Sequence, residues 1–116
     1  MDEGMRRVII ESPYAGDVER NLRYLRACLR DSLLRGEAPF ASHGLYTQPG
    51  VLDDHDPRQR SMGIEAGFAW WAGAVRVVFC TDLGWSRGMI AALERAKELN
   101  MSIVERSLGR GWEDGA

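Results

Sequence analysis

Two stretches decide the fold: Arg6–Gly16, RRVIIESPYAG, and Val75–Gly88, VRVVFCTDLGWSRG. Each is a short apolar run, then a polar turn carrying glycine, then a helical pattern. Val8, Ile9 and Ile10 are contiguous and β-branched, as expected of a parallel strand covered on both faces. In a parallel α/β sheet both turns emerge at the same edge and face one another. Ligands of such sheets bind at that edge, where the strand order reverses.

Working outward, Ser12–Gly16 breaks the first strand, predicted over 7–11. Asp17 then caps a helix over 18–35. Leu22, Leu25, Leu29 and Leu33 give that helix an apolar stripe, and Gly36 ends it. A short strand follows over 38–41. The segment 42–56, SHGLYTQPGVLDDHD, reads as a loop of about 15 residues, long enough to suggest a lid. Pro57 suits the first turn of a second helix, over 58–72, with Ile64, Phe68 and Trp71 on one face. A third strand at 75–80, a helix at 87–99 capped by Ser86, and a fourth strand at 102–105 complete the pattern. The expectation is a three-layer α/β sandwich whose parallel, flavodoxin-like or Rossmann-like sheet has four strands in the order 2-1-3-4. One domain spans 1–106, and 107–116 reads as a flexible tail.

The totals narrow the function classes. The 116 residues suit one domain, and 45% hydrophobic with 28% charged residues is an ordinary globular balance. A net charge of -2 gives no whole-chain drive toward nucleic acid or membrane, so neither is expected as a partner. The N-terminal MDEGMRR lacks the apolar run of a signal peptide, and no stretch reaches a transmembrane length. Cys28 and Cys80 form no CxxC pair and read as reduced, buried thiols of a cytoplasmic protein. There is no GxxxxGK[ST], GxGxxG or GxSxG, and no zinc-type spacing, so no cofactor or metal is expected.

The stretch IIESPYAGDVERNLRYLRACL, then GEAPFASH, then GWSRGM before a helix, resembles the nucleoside 2-deoxyribosyltransferase-like superfamily, above all its small bacterial and phage members. The resemblance covers about 7–105, and it rests on the order and spacing of several motifs rather than on any one. It implies a nucleotide or nucleoside site and a homodimer or larger homo-oligomer. Ser12, Pro13, Tyr14, Ala15, Gly16, Asn21, His43, Gly84, Trp85, Ser86, Gly88 and Met89 would line that site. Characterised members cleave or exchange an N-glycosidic bond with a glutamate in a motif close to S-x-G-x-x-x-E. Here Ser86 and Gly88 are in place, but the glutamate position falls on Ala92. Glu94 lies roughly 200° further around the helix and points elsewhere.

The residues carry alternatives. The SPYAG turn can bind an anion through N–H groups at a helix start, or simply fix geometry. Tyr14 can stack on a base or pack at the rim. Asn21 matches the family's Asn, or is a solvated side chain. His43 can act on phosphate or as an acid/base, or be structural. The Asp53–Asp56 cluster, DDHD, reads as a solvated loop before a metal site. Asp82 closes the third strand and suits ribose hydroxyls or acid/base work, or an Asx-turn cap. Arg87 and Arg60 can neutralise phosphate. Glu65 and Glu11 are the other carboxylates able to stand in for the missing one; burial would raise the pKa of Glu11 and fit it for general acid work. Trp70, Trp71 and Phe68 offer more aromatic surface than one helix needs, which suggests a subunit interface. The leading expectation is a protein that senses or sequesters a nucleotide or phosphorylated ribose without cleaving it. The alternative is an N-glycosidase or deoxyribosyltransferase using Asp82, Glu65 or Glu11. A weaker third is a structural subunit with a vestigial pocket.

Overall fold

A computed structural model describes residues 4–113. The order is β1 (Arg6–Glu11), α1 (Val18–Leu34), β2 (Glu37–Phe40), α2 (Ser42–Leu45), α3 (Pro57–Ala69), β3 (Arg76–Cys80), α4 (Arg87–Glu98) and β4 (Ile103–Arg106), closing with a 3-10 turn at Arg110–Glu113. All neighbouring strands pair in parallel, in the order β2-β1-β3-β4. The architecture is the α/β sandwich expected from the apolar runs.

The pleat divides the core. Val8, Ile10, Val78 and Cys80 face α1, against Tyr24, Leu25 and Cys28. Ile9, Val77 and Phe79 face the other way, against Trp71 and the Met89, Ala92 and Ala96 stripe of α4. Burial on both faces is why β1 and β3 carry unbroken apolar runs. No helix among the described residues is long and apolar enough to cross a membrane.

Three segments differ from the sequence reading. The buried face of α1 is Asn21, Tyr24, Leu25, Cys28 and Ser32, whereas Leu33 is 52% exposed. Leu22, Leu25 and Leu29 of the expected stripe do pack on the core, and the polar residues share that face because each finds a hydrogen-bond partner: Asn21 the carbonyls of Tyr14 and Ala15, Tyr24 the Asp82 carboxylate and Ser32 the Glu37 carboxylate. Segment 42–56 is not an open loop. It begins with α2 and closes on itself through bonds from Leu52 N–H to Tyr46 O and from Asp53 N–H to Gln59 Oε1. Finally, 107–113 is seated on the domain: Trp112 packs edge-to-face on Tyr24 at 4.9 Å, and Glu113 pairs with Arg20. The remaining tail residues, 114–116, lie outside the described residues.

Two glycines hold α2 in place. A Cβ on Gly67 of α3 would lie 2.6 Å from Ser42 Oγ and 2.8 Å from Ser42 Cβ. A Cβ on Gly44 would collide with the Leu25 side chain of α1. Only bare backbone lets α2 nest between the two longer helices.

Candidate functional site at the carboxyl edge of the sheet

The first turn is built by Asn21. Its buried amide donates to the carbonyls of Tyr14, at 2.8 Å, and Ala15, at 3.1 Å. That clamp holds Ser12–Gly16 against the start of α1, where Asp17 caps the Arg20 N–H at 3.2 Å. Gly16 has φ +99°, a backbone that favours glycine. The N–H groups of Tyr14, Ala15 and Gly16 find no partner among the described residues. Ala15 and Gly16 are exposed, Tyr14 is half-buried and Pro13 is buried. Asn21 is therefore not a solvated side chain. Its task is to shape the turn.

Next to this turn, α2 delivers His43. Its Nε2 lies 2.8 Å from the Oγ of the buried Ser12. Burial lowers the His43 pKa from 6.5 to about 4, so the ring is neutral at pH 7. Glu11 ends β1 beside Phe79, its register partner on β3. Among the described residues its carboxyl has no hydrogen bond or ion pair. Burial raises its pKa from 4.5 to about 8, so at neutral pH it holds a proton. An acid with a free proton, a neutral imidazole and open backbone donors thus share one edge.

The β3 turn is arranged differently. Gly84 turns at φ +89°, and its N–H bonds to Thr81 O. Trp85 stacks on Phe79 at 5.1 Å and stays 37% exposed. Ser86 caps α4 by accepting the Met89 N–H, and Gly88 is open beside it. Met89 itself is buried in the core, so its side chain lines no site. Ala92, where the resemblance calls for glutamate, is 2% exposed and packed in the same apolar cluster.

Asp82 is already engaged. Its carboxylate accepts from Tyr24 OH at 2.5 Å, Ser107 Oγ at 2.7 Å, Leu108 N–H at 2.8 Å and Gly109 N–H at 3.0 Å. Partial burial pushes its pKa up, but these bonds outweigh it and bring the value down to about 2. A carboxylate so held is ionised and has no room to attack or to shuttle a proton. Asp82 lies two residues past the end of β3, and the returning segment 107–109 that covers it comes from far along the chain. Glu65 lies exposed on α3, with no hydrogen bond or ion pair among the described residues.

The acidic cluster serves local structure. Asp53 accepts the His55 N–H, Asp56 caps α3 and Asp54 pairs with Arg60 at 3.8 Å. No set of three or more metal-binding side chains gathers among the described residues. Two shallow depressions of about 290 and 380 Å³ run along 50–64, and neither includes a residue of the strand-end turns. The aromatic excess divides: Trp71 is core, whereas Trp70 is 56% exposed, stacked on Phe40 and bonded to Tyr46 OH. Sequence reasoning missed Tyr24, which anchors Asp82. Its position one turn after Asn21 and one before Cys28 was the available signal.

A family model matches residues 6–106, and its description is a domain of unknown function (DUF7768). No curated protein and no solved structure matches the chain.

Proposed function

The chain belongs to that family, DUF7768, and from this premise we propose that it binds a nucleotide or related phosphorylated ribose at the carboxyl edge of β1 and β3. One observation carries the reading: the Asn21-clamped turn keeps the Tyr14, Ala15 and Gly16 N–H groups unpartnered at the start of α1. Three adjacent backbone donors at the positive end of a long helix favour an anion such as phosphate. Neutral Glu11 and neutral His43 add no fixed charge beside it, and Trp85 and Tyr14 offer flat surface to a base. On this reading the protein senses or sequesters its ligand, because Ala92 supplies no nucleophile.

A second reading has its own observation. The unpartnered, protonated carboxyl of Glu11 is suited to donate a proton to a leaving base. That would make the protein an N-glycosidase with its acid moved from α4 to the end of β1.

A thermal-shift screen against nucleosides, mononucleotides and ADP-ribose tests both. Binding stabilises by RT ln(1 + [L]/Kd), about 4 kcal/mol at a thousandfold excess over Kd. Each stabilising compound is then incubated with stoichiometric protein and chromatographed. A shift with intact ligand is the expected result. Released base, abolished by Glu11→Gln, selects the second reading. No shift with any phosphorylated compound refutes the binding site.

A further inference from the structure

Residues 107–113 lie beyond the 6–106 span of the family domain, yet they supply most of what Asp82 holds. Ser107 Oγ bonds Oδ1 at 2.7 Å, and the Leu108 N–H bonds Oδ2 at 2.8 Å. The Gly109 N–H adds a second bond to Oδ1 at 3.0 Å, so the strap puts donors on both oxygens, and a vicinal diol engages a carboxylate in the same way, through both oxygens. Within the domain, Asp82 is steadied by Tyr24, whose OH donates to Oδ2 and accepts the Asp82 N–H at 2.8 Å. Without the extension, an oriented carboxylate would stand open at the end of β3, at the switch point of the sheet. The other anchors of the extension are superficial. Glu113 reaches Arg20 at 3.1 Å and Arg23 at 3.8 Å, with side chains 43 to 51% exposed. Exposed pairs of this kind contribute little. Trp112 rests against Tyr24 under the Arg20 guanidinium.

We propose that Asp82 and Tyr24 form a subsite for the vicinal hydroxyls of a ribose, and that Ser107–Gly109 fills it as an internal stand-in until a ribonucleotide displaces it. This rests on the nucleotide reading above and adds both sugar selectivity and self-inhibition to it. A ligand with a 2′,3′-diol can give each carboxylate oxygen a donor, whereas a 2′-deoxy sugar can serve only one. The apparent affinity is the intrinsic affinity multiplied by the fraction of chains with the strap open.

The test uses the full chain with AMP and dAMP as probes. Amide hydrogen exchange is followed at Tyr14–Gly16, which reports the phosphate turn, and at Leu108 and Gly109, which report the strap. Affinities are measured for the wild type, for Glu113→Gln and for Ser107→Ala, which loosen the strap and leave Asp82 and Tyr24 in place. The expected result is that AMP protects 14–16 and speeds exchange at 108 and 109, that dAMP leaves 108 and 109 protected, and that Ser107→Ala binds AMP several-fold more tightly, with a smaller gain for Glu113→Gln. AMP binding to the variants but not the wild type also supports the strap. Protection at 14–16 with 108 and 109 unchanged overturns the strap while leaving the binding site intact. No binding by any of the three chains overturns both.

Discussion

Burial acts on Glu11 and His43 in opposite senses with one result: both are uncharged at pH 7. Desolvation penalises whichever form carries charge, so the carboxyl keeps its proton and the imidazole refuses one. The sign for stability follows from linkage. The folded pKa of Glu11 is raised, so its contribution is complete below about 4.5, is lost as pH rises and is gone past about 8. Glu11→Gln removes that loss. The variant should therefore gain on the wild type between pH 5 and pH 9 in parallel melting curves, and a constant difference across that range would refute the assignment. The sequence already offered Glu11 as an acid on the condition that it be buried. Asp82 reads the same way in sequence, as a carboxylate ending a strand, and meets the opposite fate because four donors converge on it. Neighbours distant in the chain decide between the two.

Among the elements, α2 is the one that local sequence conceals. Four residues, SHGL, have no periodicity to recognise, and their helix exists because Gly44 and Gly67 let it settle on Leu25 and under α3. The long helices and the inner strands were legible because their apolar runs are long or continuous. α2 is the element that brings His43 to Ser12. Gly67→Ala would drive a Cβ into Ser42, at a cost of about 1–3 kcal/mol, and push α2 outward. His43 would then regain water, and its pKa, followed by NMR, should climb from about 4 toward 6.5. Adding Ser42→Gly should restore both stability and the low value. If His43 titrates unchanged in Gly67→Ala, the packing of α2 does not control it.

Across the whole molecule, one buried carboxylate ties the edges of the sheet together. Glu37 on β2 accepts from Ser32 of α1 at 2.7 Å, from Arg76 of β3 at 2.9 Å and from Arg106 of β4 at 2.8 and 3.0 Å. The Arg106 bond, partly offset by burial and reinforced by Ser32 and Arg76, lowers its pKa from 4.5 to about 2. A displacement of that size corresponds to about 3 kcal/mol, present at neutral pH and lost as pH falls from about 4.5 to about 2. Glu37→Gln should cost on the order of that amount at pH 7, less at pH 3, in denaturant titrations. An equal cost at both pH values would show that the charge does not matter. By itself the sequence determined the sheet and its parallel order, since these follow from apolar period, turn chemistry and the length of the crossovers. Only the tertiary structure decided which carboxylate stays free, that Asn21 shapes a turn, that Met89 and Ala92 are core, and that 107–113 returns to cover Asp82. Each of those outcomes is a contact between residues far apart in the chain, and a contact of that kind leaves no local pattern to read.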